Sequence, residues 1–556
     1  MAYFTFLLFL SLLSQSVFAA TVTYDWAVTW VRVNPDGRQS RPAVGINGQW
    51  PCPPIKARVG DTVVVNLRND LGNQTTSLHF HGLYQEGTNA MDGAPGATQC
   101  PVPPGASFRY EFKVSPRSTR CPMTWSGQYL DGLRGPLIVE DPGSPYAGQY
   151  DEEMIVTLSD WYHDEFPGLV KDYLSTTANT EGHEPVPYSG LLNEGQNTKF
   201  PVKAGNTYFV RVINMAGFSQ MYLNFDEHDV TIIEADGVYT KPKKVESLYV
   251  ATAQRYGVLL KAKSNPRRNY AITAELNTQM FDTTPPYVHE KVTGYLEYDS
   301  RQPAPSEHVI KNWNVIDDMT LVPQDGQALL GGNPDKQIVL YLDFFKQDNQ
   351  NRAGFNNITH LGQKVPTLFT AMTIGAAAEN SLVYGVNANA HVVKYGQLVE
   401  IVINNHDEGS HPIHLHGHAP QVVARGNGTM PASKLPRRSL RHRTPTSTDR
   451  YGASKTPMRR DTWIVSGLGY TVIRFRATNP GVWLLHCHME WHVAAGLSAT
   501  IVEAPLQIQS GQKIPPAMAE LCKAQGIPVA GNAAGNMVNY TDLTGAVTVS
   551  PDGPWG

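Results

Sequence analysis

Three clusters of histidine carry spacings that suit metal binding better than packing in an apolar core. They read His79-Phe-His81, His411-Pro-Ile-His414-Leu-His416-Gly-His418 and His486-Cys487-His488-Met-Glu-Trp-His492. Neutral imidazole is a common metal ligand, whereas several imidazoles in one short stretch would make a poor core. In extended backbone alternate residues point to the same side, so His79 and His81 share a side while Cys487 faces away from both its neighbours.

Cys487 indicates which metal chemistry the clusters serve. A thiolate with two imidazoles is the trigonal ligand set of a blue-copper centre, whose potential is tuned by a long axial ligand. His486 and His488 would point from the opposite side of the strand to whatever the other histidines bind. The third cluster therefore predicts two metal sites joined by short covalent paths, an arrangement suited to electron transfer.

The elements that position these residues read as short β-strands. Alternating apolar and polar residues recur along the chain between Asn-Gly, Asp-Gly and Pro-Gly turns. Helical periodicity is scarce outside residues 164–175 and 516–524. The pattern predicts an all-β protein made of antiparallel Greek-key β-barrel or β-sandwich domains.

The length of the chain exceeds what one core usually serves, so several domains are expected. Two Pro/Gly/Ser-rich joints, at residues 141–145 and 300–307, divide the chain. Gly60–Asp70 and Gly396–Asp407 read as related strands, which favours duplicated domains. The predicted domains are residues 21–142, 143–303 and 304–556, the last with a C-terminal extension.

Composition predicts a secreted protein. The net charge of the 556 residues is only −4, which argues against nucleic acid and anionic membranes as partners. Residues 1–20 read as a signal peptide, and no other apolar stretch is long enough to span a membrane. Five cysteines are an odd count for an oxidising compartment, so at least one serves outside a disulfide, with Cys487 as the candidate. Four glycosylation sequons fit secretion: Asn73, Asn357, Asn427 and Asn539.

At these motifs the sequence resembles the multicopper oxidase family over essentially its whole mature length. HFHG, HPIHLHGH and HCHMEWHVAAGL stand almost as the family writes them. The resemblance implies three cupredoxin-like domains, a monomer, and four copper ions: one type 1, one type 2 and two type 3. It implies type 1 ligands His411, Cys487 and His492, type 2 ligands His79 and His414, and type 3 ligands His81, His416, His486 and His488.

The resemblance also implies roles for residues around the copper ions. Leu497 falls at the axial position of the type 1 site, where a side chain that does not coordinate implies a relatively high potential. Asp92 and Glu490 resemble the acids beside the trinuclear site, where carboxylates can relay the protons that oxygen reduction consumes. Cys100 and Cys522 resemble the disulfide that ties the first domain to the C-terminal segment, which leaves Cys52 without an evident partner.

One departure from the family pattern affects oxygen chemistry. The family has a further His-x-His before the stretch that reads Ser126-Gly-Gln-Tyr-Leu-Asp-Gly132 here, and Pro122 and Thr124 occupy its two positions. No histidine lies between His81 and His163, so each type 3 copper would lose one imidazole. Two explanations are open: a local sequence error over residues 117–125, which would make Cys121 an artefact, or a degenerate protein that keeps only its type 1 site. The error is favoured, because every other ligand is present.

Within the family, the chain resembles most the fungal iron-transport ferroxidases, through Leu158–His163, Ala253–Tyr256, Pro457–Asp461 and Gly531–Ala534. By this resemblance Glu184, Asp282 and Asp407 are the acids that would bind Fe(II) beside the type 1 copper. Carboxylates suit a hard cation and stabilise Fe(III) over Fe(II). The expected activity is oxidation of Fe(II) coupled to reduction of O2, with an iron permease as a possible partner.

Two alternatives stay open. A basic stretch over residues 437–460 would repel Fe(II), and the chain ends at Gly556 without the membrane anchor of permease-linked members. Laccase-like oxidases that couple phenols in pigment pathways share the framework and lack that anchor. If the missing His-x-His is genuine, a non-catalytic blue-copper protein is the third possibility.

Overall fold

The computed structural model describes residues 19–115, 127–430 and 451–550. The predicted signal peptide up to residue 18, the altered segment with Pro122 and Thr124, and the part of the basic stretch before residue 451 lie outside the described residues. Strands predominate among the described residues and the helices are short, so the predicted all-β class is confirmed.

The described strands fall into three groups that follow one another along the chain, and each sheet is built within one group. The first group contains β1 (Thr21–Val33), β2 (Arg41–Ile46), β3 (Ile55–Arg58), β4 (Thr62–Asn69), β5 (Ser107–Lys113) and β6 (Leu137–Glu140). The second contains β7 (Glu152–Trp161), β8 (Ser189–Leu192), β9 (Thr198–Pro201), β10 (Thr207–Asn214), β11 (Met221–Phe225), β12 (Val230–Ala235), β13 (Val238–Val245), β14 (Ser247–Val250), β15 (Arg255–Lys261), β16 (Tyr270–Leu276) and β17 (Lys291–Glu297). The third contains β18 (Lys336–Gln347), β19 (Gln350–Phe355), β20 (Ala390–Val393), β21 (Leu398–Asn405), β22 (His411–Leu415), β23 (Gln421–Asn427), β24 (Thr462–Val465), β25 (Gly469–Arg476), β26 (Gly481–Cys487) and β27 (Ser498–Glu503).

The sheets repeat one arrangement. Their orders are β2-β1-β4-β5 with a separate β3-β6 pair, β13-β12-β15-β10-β7-β8 with β14-β11-β16-β17-β9, and β19-β18-β21-β25-β23 with β20-β27-β26-β22-β24. In each group the first strand runs parallel to a neighbour: β1 to β4, β7 to β10 and β18 to β21. These parallel pairs differ from the antiparallel pairing that alternation suggested, since alternation reports burial of one face and not strand direction. The related stretches Gly60–Asp70 and Gly396–Asp407 contain β4 and β21, which hold equivalent places.

The described residues contain five α-helices: α1 (Phe166–Leu174), α2 (Thr367–Thr373), α3 (Glu490–Ala495), α4 (Pro505–Gly511) and α5 (Pro516–Ala524). The first three lie between strands, and α4 and α5 follow β27. The predicted helical stretches contain α1 and α5. Among the residues that the structure describes, no helix has the length and apolar character needed to cross a membrane.

The core places the metal-binding strands at its centre. β22 and β26 are buried along their whole length, whereas β5 alternates exposed and buried residues as a strand with one wet face does. Cys100 in the first group and Cys522 in α5 form the expected disulfide, with Cα atoms 5.3 Å apart. Cys52 is buried and reduced. The disulfide fastens the C-terminal extension to the first group of strands.

Candidate metal centre

The first site consists of His411, Cys487 and His492, which we call the His2Cys site. His411 begins β22, Cys487 ends the adjacent strand β26, and His492 lies one turn further on in α3. The Cys487 sulfur lies 3.2 Å from Nδ1 of His492 and 3.8 Å from Nδ1 of His411, and the two Nδ1 atoms are 3.1 Å apart. All three side chains are buried. Three ligand atoms thus converge on one point from two strands and a helix.

The electrostatics of the His2Cys site favour a thiolate. Burial opposes ionisation of Cys487, yet the charge of His492 and hydrogen bonds from both imidazoles outweigh it and lower the pKa of the thiol to about 6. The reciprocal interaction raises the pKa of His492 to about 10, against the opposing effect of burial. The thiolate is the form of cysteine that binds metals. Leu497 is fully buried nearby, and its carbonyl oxygen accepts a hydrogen bond from the Cys487 amide at 3.1 Å.

Two of the predicted iron-binding acids contact the His2Cys site directly. Oδ2 of Asp407 lies 3.0 Å from Nε2 of His411, and Oε1 of Glu184 lies 3.1 Å from Nε2 of His492. Each imidazole therefore has its inner nitrogen at the site and its outer nitrogen on a carboxylate. The pKa of Asp407 is lowered to about 2, because hydrogen bonds and charge from His411 exceed the opposing effect of burial.

Asp282 joins this acidic group from the loop after β16. Burial, followed by the negative charge of Glu184 and then that of Asp407, raises the pKa of Asp282, while His183 partly offsets the rise. Nε2 of His183 lies 3.9 Å from Oδ2 of Asp282. The structure thus brings together three carboxylates from separate loops on the outer side of the His2Cys site, and we call them the acidic group.

The second site is an imidazole cluster formed by His79, His81, His414, His416, His486 and His488. The rings of His79 and His416 stack at 4.1 Å, and those of His81 and His414 stack at 3.8 Å. Nε2 of His416 lies 3.1 Å from Nε2 of His486, and the His81 and His488 rings are 5.1 Å apart. Two chain segments of the third group and one of the first therefore meet ring to ring.

The donor atoms of the imidazole cluster fit a soft or borderline metal such as copper. Buried polar atoms are normally hydrogen-bonded. In the described part of the chain, however, nitrogens of four of these rings have no protein partner: His79 Nε2, His81 Nδ1 and Nε2, His414 Nε2 and His488 Nδ1. Burial and the mutual repulsion of the imidazoles also lower the pKa of His414 and His486 well below the usual range. Neutral rings with unpartnered, buried nitrogens are suited to bind metal ions.

Surrounding acids orient the rings of the cluster. The Asp92 carbonyl accepts a hydrogen bond from Nδ1 of His79 at 2.7 Å, and its carboxylate Oδ2 lies 2.8 Å from Nδ1 of His416. Partners of this kind fix the tautomer and direction of a ligand imidazole. Glu490 is buried, its amide donates to the Gly217 carbonyl, and burial followed by the charge of Asp160 raises its pKa to about 8.

Sequence reasoning missed two features of the centre. Phe344, on β18 and 36 % exposed, lies against both imidazoles of the His2Cys site, with ring centroids 5.8 Å from His411 and 5.0 Å from His492. Nδ1 of His414 lies 2.9 Å from the carbonyl oxygen of Asp461. Asp461 stands in the Pro457–Asp461 motif, which the sequence offers only as part of a family resemblance. Nothing in the local sequence marks Phe344.

The residues that follow the altered segment reach the imidazole cluster. Residues 116–126 are outside the described part of the chain, and Tyr129, which follows closely, has its ring 6.4 Å from that of His488. The consequence of Pro122 and Thr124 for metal binding therefore stays a prediction.

The protein is built of β-sheets, and its buried His2Cys site is joined along one strand to a second site made of imidazoles. These features define an electron-transfer metalloprotein of the copper type. Three models described as multicopper oxidase match residues 360–507, 152–300 and 27–144. The iron transport multicopper oxidase fetC of Epichloe festucae is 46% identical over 95% of this chain and 84% of its own. FET3 of Saccharomyces cerevisiae, also named an iron transport multicopper oxidase, is 38% identical over 95% of this chain and 82% of its own.

Solved structures agree with the sequence relatives. The crystal structure of Fet3p, described as a multicopper oxidase that functions in iron import, superposes with a TM-score of 0.88 at 37% identity, covering 95% of this chain and 99% of that one. The laccase of Botrytis aclada superposes with a TM-score of 0.76 at 27% identity, covering 95% of both chains. The chain belongs to the multicopper oxidase family, and it is a copper-dependent oxidoreductase of cupredoxin-like domains that uses oxygen as acceptor.

Proposed function

We propose that this chain is a ferroxidase that couples oxidation of Fe(II) to reduction of O2 in iron uptake. The observation that carries the proposal is the pair of carboxylates, Asp407 and Glu184, on the outer nitrogens of the two His2Cys imidazoles. The iron-transport names of the relatives support the same reading. A secreted or cell-surface monomer with the domains 21–142, 143–303 and 304–556, working beside an iron permease, fits this proposal.

The assignment of ligands follows the two sites. His411, Cys487 and His492 would hold type 1 copper, with Leu497 as the axial neighbour that does not coordinate. The imidazole cluster would hold the remaining copper, His79 and His414 for type 2 and the other four histidines for type 3. Copper bound at these sites supplies one-electron chemistry at the first and oxygen reduction at the second. Cys487 is bonded along the chain to His486 and His488, so the path between the sites is covalent.

The acidic group supplies the reasons why Fe(II) would be the reductant. Three carboxylates from Glu184, Asp282 and Asp407 offer the hard oxygen ligands that iron ions prefer. Two of them touch the ligand imidazoles, so a cation bound by these carboxylates would be one hydrogen bond away from the His2Cys site. On the oxygen side, the hydrogen bonds of Asp92 orient His79 and His416, and the proton of Glu490 would be retained at neutral pH and available for transfer.

Oxygen uptake by the copper-loaded protein, first with Fe(II) and then with a diphenol, tests this proposal. The ferroxidase reading expects Fe(II) turnover that falls when Glu184→Gln and Asp407→Asn are introduced, with diphenol turnover much less affected. Fe(II) turnover that is indifferent to both substitutions would refute it.

A laccase-like phenol oxidase is the second candidate, and Phe344 favours it. An exposed aromatic ring over both ligand imidazoles could stack with an aromatic reductant. This alternative expects phenol turnover that survives removal of the carboxylates and falls with Phe344→Ala.

If Pro122 and Thr124 are genuine, a non-catalytic blue-copper protein is the third candidate. It expects a blue protein that consumes no oxygen and binds fewer than four copper ions. Sequencing the transcript across residues 115–126 separates a genuine loss of the His-x-His from an error in the sequence.

A further inference from the structure

A network of buried charges joins the second group of strands to the third, next to the imidazole cluster. Arg255, at the start of β15, places its two terminal nitrogens 2.7 and 2.6 Å from the two carboxylate oxygens of Asp461. Arg460 pairs in the same two-pronged way with Asp236, at 2.8 and 3.0 Å, and donates to Asp318 at 2.8 Å. These side chains are all at least nine-tenths buried. The network contains the two motifs, Ala253–Tyr256 and Pro457–Asp461, that the copper sites do not explain.

The neighbouring side chain of Gln254 binds the same segment, at Thr462. Nε2 of Gln254 donates to the carbonyl oxygen of Thr462 at 3.1 Å, and its Oε1 accepts from the Ala251 amide at 3.1 Å. Thr462 in turn donates its hydroxyl to Asp461 at 2.9 Å. Gln254 and Arg255, which we call the 254–255 clamp, therefore hold the carboxylate of Asp461 and the carbonyl of Thr462, one on each side of the peptide that joins these two residues.

The peptide between these two held groups is the partner of a predicted copper ligand. Nδ1 of His414 donates to the carbonyl oxygen of Asp461 at 2.9 Å, and the Thr462 hydroxyl lies 3.3 Å from the same nitrogen. His414 and Thr462 are also opposite each other where β22 pairs with β24. With Nδ1 committed to this carbonyl, the unpartnered Nε2 is the nitrogen left to bind a metal.

The clamp also binds the carboxylate of Asp461, which could otherwise become a metal ligand in the imidazole cluster. Ligand atoms of His81, His414 and Asp461 all lie within 4.8 Å of one another, close enough to share one metal ion. Because Arg255 engages both carboxylate oxygens of Asp461, that acid is held as a neighbour of the cluster and not as a ligand. A lysine could neutralise the charge, but it lacks the planar fork of donors that bonds both oxygens in parallel.

Stability alone does not account for this network. Replacing a buried ion pair by well-packed apolar residues is often neutral for folding or stabilising, so such pairs are weak evidence of a structural benefit. What two-pronged pairing provides is a fixed direction for the groups that it joins. That property matters where the joined peptide must orient a ligand.

We propose that Gln254 and Arg255 are positioning residues for the copper ligand His414, acting through Asp461 and Thr462. The inference rests on the copper assignment within the proposed function. It gives the second group of strands, which contributes no ligand among the described histidine clusters, a direct part in the copper centre.

Arg255→Lys tests the inference, with Arg425→Lys as its matched control. Arg425 pairs with Asp318 at 2.6 Å at the far end of the same network and contacts neither Asp461 nor Thr462. Arg255→Lys is expected to weaken copper binding at the type 2 site by about 10- to 100-fold in a chelator titration and to change the type 2 electron paramagnetic resonance spectrum. The blue absorption of the His2Cys site should persist, and Arg425→Lys should change neither signal.

Gln254→Leu is the milder variant and removes one neutral hydrogen bond. It should weaken type 2 copper by a few-fold in the same direction. Type 2 copper affinity and spectrum that are unchanged in Arg255→Lys overturn the inference; if that variant does not fold, an unchanged result in Gln254→Leu does so. A parent protein that binds type 2 copper but ignores Fe(II) would refute the ferroxidase proposal alone, whereas a parent without any type 2 signal would refute the inference together with the copper assignment.

Discussion

Neutralising the two carboxylates that contact the His2Cys imidazoles should slow the oxidation of Fe(II) much more than the oxidation of an organic reductant. Two unit charges 4 Å apart attract by about 4 kcal/mol at the effective dielectric constant of a protein surface and by about 1 kcal/mol in water. The side chain of Glu184 is 12% exposed and that of Asp407 is 35% exposed. The attraction of Glu184 for a cation is therefore nearer the protein-surface energy, and that of Asp407 is nearer the energy in water. We therefore expect Glu184→Gln to cost about 2–3 kcal/mol of transition-state stabilisation and Asp407→Asn about 1–2 kcal/mol.

These energies translate into a ranked kinetic result. The kcat/KM for Fe(II) should fall about 30- to 150-fold in Glu184→Gln and about 5- to 30-fold in Asp407→Asn. A neutral diphenol has no net charge for the carboxylates to attract, so its kcat/KM should change by less than about threefold. Both constants can be measured by oxygen uptake on the same copper-loaded preparations, with the blue absorption as a check that the His2Cys site is intact.

Asp343→Asn is the control for a general loss of negative charge. Asp343 precedes Phe344 on β18 and lies 2.8 Å from Nδ1 of His406, and it contacts neither ligand imidazole. Its neutralisation should leave Fe(II) kinetics within about twofold of the parent, because exposed pairs contribute little. Equal losses for Fe(II) and the diphenol, or a loss in Asp343→Asn as large as in Glu184→Gln, would refute the role assigned to the acidic group.

Three further outcomes are expected. Because its pKa is raised, the Asp282 carboxyl takes up a proton at a higher pH than an ordinary aspartate. As the pH is lowered, Fe(II) turnover should therefore begin to fall at a higher pH in the parent than in Asp282→Asn. Identical pH profiles of the two proteins would contradict this. Cys487→Ser should abolish the blue absorption band while leaving the imidazole cluster able to bind copper, as metal analysis can show. The double substitution Pro122→His with Thr124→His should raise the copper content toward four per chain and increase oxygen uptake, and a count that stays unchanged would show that the segment differs from the family in more than these two residues.

The histidines and the cysteine that the structure brings together are predictable as metal-binding candidates because their spacing is local. His486, Cys487 and His488 alternate along one strand, so spacing alone separates the thiolate from its neighbours. The all-β class followed from alternation for the same reason. Parallel pairing of β1 with β4 did not, because strand direction depends on how distant segments return to a sheet.

Contacts between distant segments of the chain could not be predicted from the sequence. Arg255 and Asp461 are 206 residues apart, and Glu184 and His492 are 308 apart. Family resemblance identified Glu184 as a candidate, but its hydrogen bond to His492 follows only from the folded chain. Phe344 is the opposite case, an apolar residue on an exposed strand that gains its place at the site from neighbours that no local pattern specifies.

The pairing of β22 with β26 explains how one pair of strands serves two chemically different sites. Ile413 lies opposite Cys487 and His414 lies opposite His486. Since side chains alternate, His411 shares a face with Cys487, and His414 shares the other with His486. A slip of one residue would exchange the faces and place imidazoles of the cluster beside the thiolate. The bonds of the 254–255 clamp join Asp461 and Thr462, at the start of β24, to the second group of strands. β24 in turn pairs with the other edge of β22, where Thr462 lies opposite His414. The 254–255 clamp therefore acts on the strand beside His414, on the edge of β22 away from Cys487.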